Sequence, residues 1–203
     1  MSDPAPLRVR VDYDFASSLC YVAHRCMQRL DAQITDLGIA LAWSPLDLTR
    51  ITGWQRGAEV DDDRRRNVER VSAELGVPLE MPRVWLDSRG AHAMALCVPE
   101  AREPTWREAV FSMIYEAGVW PTDENIRTLA AELDLSPEPA ALARAAGELL
   151  DRTRRAHAQE VTGVPNFMLG AWPFGGIQSD DTMLSILGRF AAKQREKDDE
   201  SAA

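Results

Sequence analysis

The residues with the clearest chemical potential lie in the stretch DFASSLCYVAHRCM, residues 14–27, where a short strand gives way to a helix. Ser17 or Ser18 suits the N-cap of that helix, because a serine hydroxyl can accept from the free N–H groups of the first turn. Cys20 and His24 stand four residues apart on one helical face, so they could form a Cys–His nucleophile. The alternative is a buried apolar thiol beside a partly exposed histidine.

Two other short runs contain backbone groups or side chains that could bind a ligand. Val164 precedes Pro165, and a cis bond between them would leave the Val164 backbone free to pair with an extended peptide. Ser179 and Asp180 begin the last predicted helix, where N–H groups bind carboxylates and an acidic side chain can take an ammonium group. Taken alone, the first run favours an ordinary trans proline and the second an ordinary N-cap.

Strand patterns occur near the two ends of the chain. Residues 8–15, RVRVDYDF, alternate apolar and polar side chains, which predicts a strand with one buried face. Residues 39–43, IALAW, form a short apolar run typical of a buried strand. Residues 166–169 and 171–174 flank Gly170 and predict a tight hairpin, and Pro173 favours an edge position for its second strand.

The segment between these strands has the periodicity of helices from about residue 60 to 160. Thr105 with Glu108, and later Ser136, predict the starts of two of its helices. The order β-α-β, helical block, β-β-α therefore predicts an α/β protein with a mixed sheet and a large all-α insertion. The expected divisions are a sheet domain at 1–58 plus 160–195, an insertion at 59–159 and a disordered tail at 196–203.

Composition narrows the possible partners. The chain has 203 residues, a net charge of −9 and 45% apolar residues, which allows a hydrophobic core and argues against nucleic acid or an anionic membrane as partner. No apolar run is long enough to span a membrane, and the N-terminus lacks the apolar core of a signal peptide. We therefore expect a cytoplasmic protein.

We do not expect the cysteines to form a disulfide framework or a zinc site. There are three, Cys20, Cys26 and Cys97, with no C-x-x-C pair. The acidic and basic run DDDRRR at 61–66 is typical of a solvated helix face, with a metal site as the weaker alternative. We expect no metal.

In its order of elements and in short motifs, the chain resembles the DsbA branch of the thioredoxin fold over about residues 8–190. Residues 17–21, SSLCY, are similar to the C-P-x-C-Y of dithiol members and to the S-P-Y-S-[WY] of kappa-class glutathione transferases and 2-hydroxychromene-2-carboxylate isomerases. Residues 162–165, TGVP, resemble the family's cis-proline loop, and Ser179-Asp180 resembles the step that opens the last helix in glutathione-using members. Residues 90–92, GAH, resemble a helix start in the insertion.

The resemblance implies an enzyme that uses glutathione or another low-molecular-weight thiol and acts on a small aromatic or electrophilic substrate. It implies that Ser17 hydrogen-bonds the thiolate, that Val164 and Pro165 pair with the thiol's backbone, and that Ser179 and Asp180 hold its γ-glutamyl end. It also implies a homodimer. Ser18 replaces the family's proline, and Cys20 stands where the isomerases carry serine.

Two alternatives follow from the same resemblance. One is a DsbA-like disulfide oxidoreductase that works through the single thiol of Cys20. The other is a degenerate thioredoxin-fold module without catalysis, which binds a peptide or a protein along the Val164–Pro165 edge.

Overall fold

The computed structural model describes residues 5–202 and has a four-stranded sheet in the order β2-β1-β3-β4. β2 runs parallel to β1, β3 runs antiparallel to β1, and β4 runs antiparallel to β3. The predicted mixed sheet is thus confirmed. Its strands are β1 Leu7–Tyr13, β2 Ile39–Pro45, β3 Asn166–Leu169 and β4 Trp172–Gly175.

The positions of the strands in the sheet follow from their sequences. Val9, Val11 and Tyr13 alternate along the inner strand β1 and are completely buried, as a period-two apolar pattern requires. β4 lies at the edge of the sheet. An edge strand tolerates Pro173, which has no backbone N–H to donate, because one side of the strand has no neighbour to pair with. Its neighbour Trp172 is 78% exposed.

Helices connect the strands and fill the insertion. α1 Ser18–Arg29 and α2 Asp31–Asp36 connect β1 to β2, and α9 Asp180–Ala202 follows β4. Between β2 and β3 lie α3 Thr49–Thr52, α4 Asp62–Leu75, α5 Arg89–Cys97, a 3-10 turn Glu100–Arg102, α6 Glu103–Tyr115, α7 Asp123–Glu132 and α8 Pro139–Ala158.

The helical insertion and the sheet share one hydrophobic core. Phe111 of α6 meets Phe15 edge-on, with 5.0 Å between ring centroids. Tyr115, also on α6, donates a hydrogen bond of 2.9 Å to the Phe15 carbonyl. The insertion therefore packs directly over the junction between β1 and α1.

The last helix extends further than the sequence pattern predicts. Residues 196–203 were expected to form a disordered tail, whereas α9 continues through Ala202. Within residues 5–202, no helix combines the length and the apolar character needed to cross a membrane.

Candidate active site

Ser17 lies at the N-cap of α1 but does not cap it through its side chain. Its backbone is extended, with φ −95° and ψ 111°, and the hydroxyl makes no cap hydrogen bond. The residue is 0% exposed. Among the described residues, the Ser17 hydroxyl has no hydrogen-bond partner of normal geometry. A buried polar group without a partner costs about 1–3 kcal/mol, so its presence at a helix N-terminus calls for a functional explanation.

Asp14 fixes the turn that carries Ser17. The Asp14 carbonyl accepts from the Ser17 N–H at 3.0 Å, and the Asp14 side chain is 1% exposed. Its carboxylate contacts four groups: the Ser88 hydroxyl at 2.6 Å, the Leu48 N–H at 2.8 Å, the Ala16 N–H at 2.9 Å and His92 Nε2 at 3.0 Å. One buried carboxylate thereby joins the turn, the loop after β2 and the start of α5.

The charge of Asp14 is stabilised by these partners. Burial alone would raise the pKa of this carboxyl, but His92, Ser88 and the Ala16 N–H together lower it. His92 is completely buried, and its Nδ1 has no partner in the described part of the chain. The positioning role of Asp14 was not predicted from the sequence.

Cys20 is part of the core rather than an open nucleophilic site. It is completely buried, and burial raises the pKa of its thiol to about 12, although the nearby Ser17 hydroxyl acts in the opposite direction. His24 does not pair with Cys20, because its Nε2 contacts the Glu108 carboxylate at 2.8 Å. Burial also lowers the pKa of His24. The Cys–His pair considered from the sequence is not formed.

The Val164–Pro165 peptide bond is cis. Asn166, which follows it, pairs with Asp12 near the end of β1, so Val164 lies at the same end of the sheet as the turn that carries Ser17. The Pro165 carbonyl accepts from the Gly176 N–H at 2.8 Å.

A cavity of about 270 Å³ adjoins the Val164 backbone; Thr162, Asn166 and Gly176 are among the residues that line it, and Ser17 is not.

Ser179 and Asp180 already have partners within the chain. The Ser179 hydroxyl contacts the Thr182 hydroxyl at 2.8 Å and accepts from its N–H at 3.4 Å, as an N-cap does. Asp180 pairs with Arg29 at 3.0 Å. Because Arg29 follows Ser17 by twelve residues on α1, about 18 Å of helix separates their backbones. The structure thus brings Val164 and Ser17 to one end of the sheet and pairs Asp180 with the opposite end of α1.

Arg64 is a second candidate residue that the sequence did not predict. The charged run at 61–66 predicts a solvated helix face, but the Arg64 guanidinium stacks on the Trp54 ring, 3.9 Å from the ring centroid. Only contacts with distant parts of the chain reveal this placement.

Within residues 5–202, no group of three or more His, Cys, Asp or Glu side chains has an arrangement that could hold a metal ion. The acidic residues of the 61–66 run have other roles. Asp61 caps α4 by accepting from the Arg64 N–H at 2.8 Å, and Asp63 pairs with Arg66.

Comparison with known proteins agrees with this architecture. The chain is 26% identical over 191 residues to the 2-hydroxychromene-2-carboxylate isomerase of Pseudomonas putida, covering 88% of this chain and 93% of the isomerase. Its fold is similar to a probable DsbA oxidoreductase from Streptomyces coelicolor, with TM-score 0.69, 20% identity and coverage of 91% and 89%. It is also similar to the cytosolic disulfide reductase DsbM from Pseudomonas aeruginosa with GSH, with TM-score 0.61, 17% identity and coverage of 94% and 98%.

The family model of the DSBA-like thioredoxin domain matches residues 8–188. This range includes β1 from Arg8 onward, the turn at Ser17, the whole insertion, the Val164–Pro165 loop and the first part of α9. The chain therefore belongs to the DSBA-like thioredoxin domain family.

Proposed function

We propose that this protein is an isomerase or transferase that depends on glutathione or another low-molecular-weight thiol and acts on a small electrophilic or aromatic substrate. The observation that carries the proposal is the completely buried hydroxyl of Ser17 at the N-cap of α1, which lies near the Cys20 thiol but makes no hydrogen bond of normal geometry among the described residues. A dithiol enzyme would need a cysteine at this position. A serine there cannot form a disulfide, but it can serve a thiol that comes from outside the chain.

The chemistry of the site suits a bound thiolate. The Ser17 hydroxyl would donate a hydrogen bond to the sulfur, and the positive end of the α1 dipole would stabilise its charge. The backbone at Val164 would pair with the cysteinyl unit of the thiol as a short added strand. The structure of a similarly folded reductase with GSH supports this class of ligand, and the isomerase relative supports this class of reaction.

Ser179 and Asp180 would hold the γ-glutamyl end only if they exchanged their present partners and the ligand reached from Ser17 toward the opposite end of α1, where Asp180 pairs with Arg29. The Arg29–Asp180 ion pair is partly exposed, with 41% and 38% of the two side chains accessible. Such pairs contribute about 0–1 kcal/mol, so a ligand's charged groups can compete with it. A homodimeric assembly and a cytoplasmic location remain part of this proposal.

Substitution of Ser17 by alanine tests the proposal. We expect wild-type protein to bind glutathione in isothermal titration calorimetry and Ser17→Ala to bind it about 10- to 100-fold more weakly, because a hydrogen bond to a charged group is removed. Ser136→Ala is the control, since Ser136 is exposed in the insertion and should bind as wild type does. If wild-type protein binds neither glutathione nor a smaller thiol, or if Ser17→Ala binds equally well, the proposed site is wrong.

The oxidoreductase alternative depends on a reactive Cys20. The raised thiol pKa of about 12 leaves almost no thiolate near neutral pH. We therefore expect Cys20 and Cys26 to resist an aromatic disulfide reagent in the native protein, while the partly exposed Cys97 reacts. Counting released coloured thiolate before and after denaturation measures this.

Two variants identify which cysteine reacts in the native protein. Cys97→Ser should remove the native reaction, and Cys20→Ser should not change it. Rapid native labelling that disappears in Cys20→Ser would favour the oxidoreductase instead. Failure of thiol binding together with an inert Cys20 would leave the non-catalytic binding module as the better explanation.

A further inference from the structure

A cavity of about 470 Å³ lies among the helices of the insertion. Residues of α5, α7, α8 and the loop between α7 and α8 line it. Gly90 and Ala93 of α5 and Ala131 of α7 are among them, and their small size leaves the space open. The apolar wall is formed by Met94, Ile126, Ala130, Leu135 and Leu142, of which the first four are at least nine-tenths buried. A concave space of this volume with mostly apolar walls is typical of a small-molecule site.

The cavity is separate from the candidate active site. His92 of α5 contacts Asp14 in the turn that carries Ser17. Gly90 and Met94 line the cavity, and each is two residues from His92 along the same helix. Because two residues turn an α-helix by about 200°, Gly90 and Met94 project from the side of α5 opposite to His92.

Two oppositely charged side chains, Asp123 and Arg127, border the cavity from α7. Both are exposed, so they lie at its mouth. They are four residues apart, a spacing at which an acid and an arginine often pair. Glu148 and Arg152, with the same spacing and order in α8, do form an ion pair at 2.6 Å. Within residues 5–202, however, the side chains of Asp123 and Arg127 form no hydrogen bond and no ion pair.

The Asp123 carboxylate lies close to α5. Its Oδ1 atom is 3.5 Å from the position that a β-carbon on Gly90 would occupy. The neighbouring Arg89 does not take this carboxylate, because Arg89 pairs with Asp87 at 2.5 Å. The mouth of the cavity therefore presents one uncommitted carboxylate and one uncommitted guanidinium, about one helical turn apart.

We propose that this cavity binds a small zwitterion with an apolar side chain, of the kind found in apolar α-amino acids. The ligand's carboxylate accepts hydrogen bonds from the Arg127 guanidinium, its ammonium group donates to the Asp123 carboxylate, and its side chain fills the apolar space. Both charged groups of an α-amino acid are attached to one carbon, which suits two protein charges one helical turn apart. This binding site is additional to the proposed thiol chemistry and does not depend on it.

Three ligands that share a phenyl group test the proposal in isothermal titration calorimetry. L-Phenylalanine carries both charges, phenylpropionate lacks the ammonium group and phenylethylamine lacks the carboxylate. We expect wild-type protein to bind L-phenylalanine at least about tenfold more tightly than either analogue, because each analogue loses one charge-assisted hydrogen bond. L-Leucine serves as a second zwitterion with a smaller apolar side chain.

Variants locate the binding. Arg127→Met and Asp123→Asn should each weaken the binding of L-phenylalanine about tenfold. Ala131→Trp should abolish it, because Ala131 is exposed at the cavity and a larger side chain can block the mouth without disturbing the buried wall. Arg83→Met is the matched control, since it removes an exposed arginine that does not line this cavity, and it should bind as wild type does. Thermal midpoints without ligand check that each variant is folded.

The contrary outcomes are equally clear. The proposal is wrong if neither L-phenylalanine nor L-leucine binds at millimolar concentration, or if folded Ala131→Trp binds as wild type does. It is also wrong if both analogues bind as tightly as L-phenylalanine, since the two charges would then have no role. A failure of glutathione to bind would overturn the thiol site and leave this cavity's role unaffected.

Discussion

Replacing Asp14 with alanine is expected to lower the free energy of unfolding by about 3–5 kcal/mol, among the largest effects of any single substitution in this chain. The Asp14 carboxylate is almost completely buried and accepts from Ser88, Leu48, Ala16 and His92. Alanine would leave these donors without an acceptor in a dry environment. Chemical denaturation of wild type and variant measures the difference.

The pH dependence of the folding stability separates the contribution of the Asp14 charge from that of its hydrogen-bond geometry. Because the folded state lowers the pKa of Asp14, its charge contributes stability above about pH 4, the ordinary value of an unfolded aspartate. That stability is lost as the pH falls through the folded pKa. Asp14→Asn retains an acceptor oxygen and should lose less stability than Asp14→Ala. As the pH falls, the stability of Asp14→Asn should decrease less steeply than that of wild type.

The exposed Asp36→Ala is the control for Asp14, and it should change stability by no more than about 0.5 kcal/mol. An Asp14→Ala variant as stable as Asp36→Ala would contradict the anchoring role. The same variant should also bind thiols poorly at temperatures where it remains folded, because Ser17 depends on the turn.

Trp106→Ala is expected to have a comparably large effect, about 3–5 kcal/mol, through a cavity in the shared core. Trp106 of α6 is completely buried. Its Nε1–H donates to the Ala91 carbonyl of α5 at 3.0 Å. Thermal and chemical unfolding of the variant measure the loss.

Trp106→Phe is the informative companion variant, because it keeps an aromatic ring and removes the N–H donor. It should cost about 1–2 kcal/mol, less than alanine. If alanine and phenylalanine are equally tolerated, the packing of α6 against α5 contributes less than the structure implies. The expected order is wild type, then Trp106→Phe, then Trp106→Ala.

The sequence predicted the sheet well because strand patterns are local. The alternation of Val9, Val11 and Tyr13 is visible within a few residues, and the burial of β1 follows it. Helix starts were predicted less well. α6 begins at Glu103 and not at Thr105, and α8 begins at Pro139 and not near Ser136. Both helices have a proline in the first turn. Their observed starts follow these prolines and not the hydroxyl residues Thr105 and Ser136, which the sequence suggested as caps.

The site itself depends on contacts between distant residues, which no local pattern contains. The partners of Asp14 at Leu48, Ser88 and His92 are 34, 74 and 78 residues away. Arg64 lies in a charged run that is typical of a solvated surface, and only stacking on Trp54 and Trp85 distinguishes it from Arg65 and Arg66. The sequence identified Ser17 from its position at a helix start, but it did not predict that Ser17 is completely buried.

The hydrogen bond from Tyr115 to the Phe15 carbonyl constrains how a ligand reaches Ser17. It joins α6 to the chain segment just before Ser17, amid packed aromatic rings. A hinge motion that swung the insertion away from the sheet would have to break this bond and expose those rings to water. A thiol of the proposed kind would therefore have to reach Ser17 by a local movement that leaves this hydrogen bond and the packed rings in place.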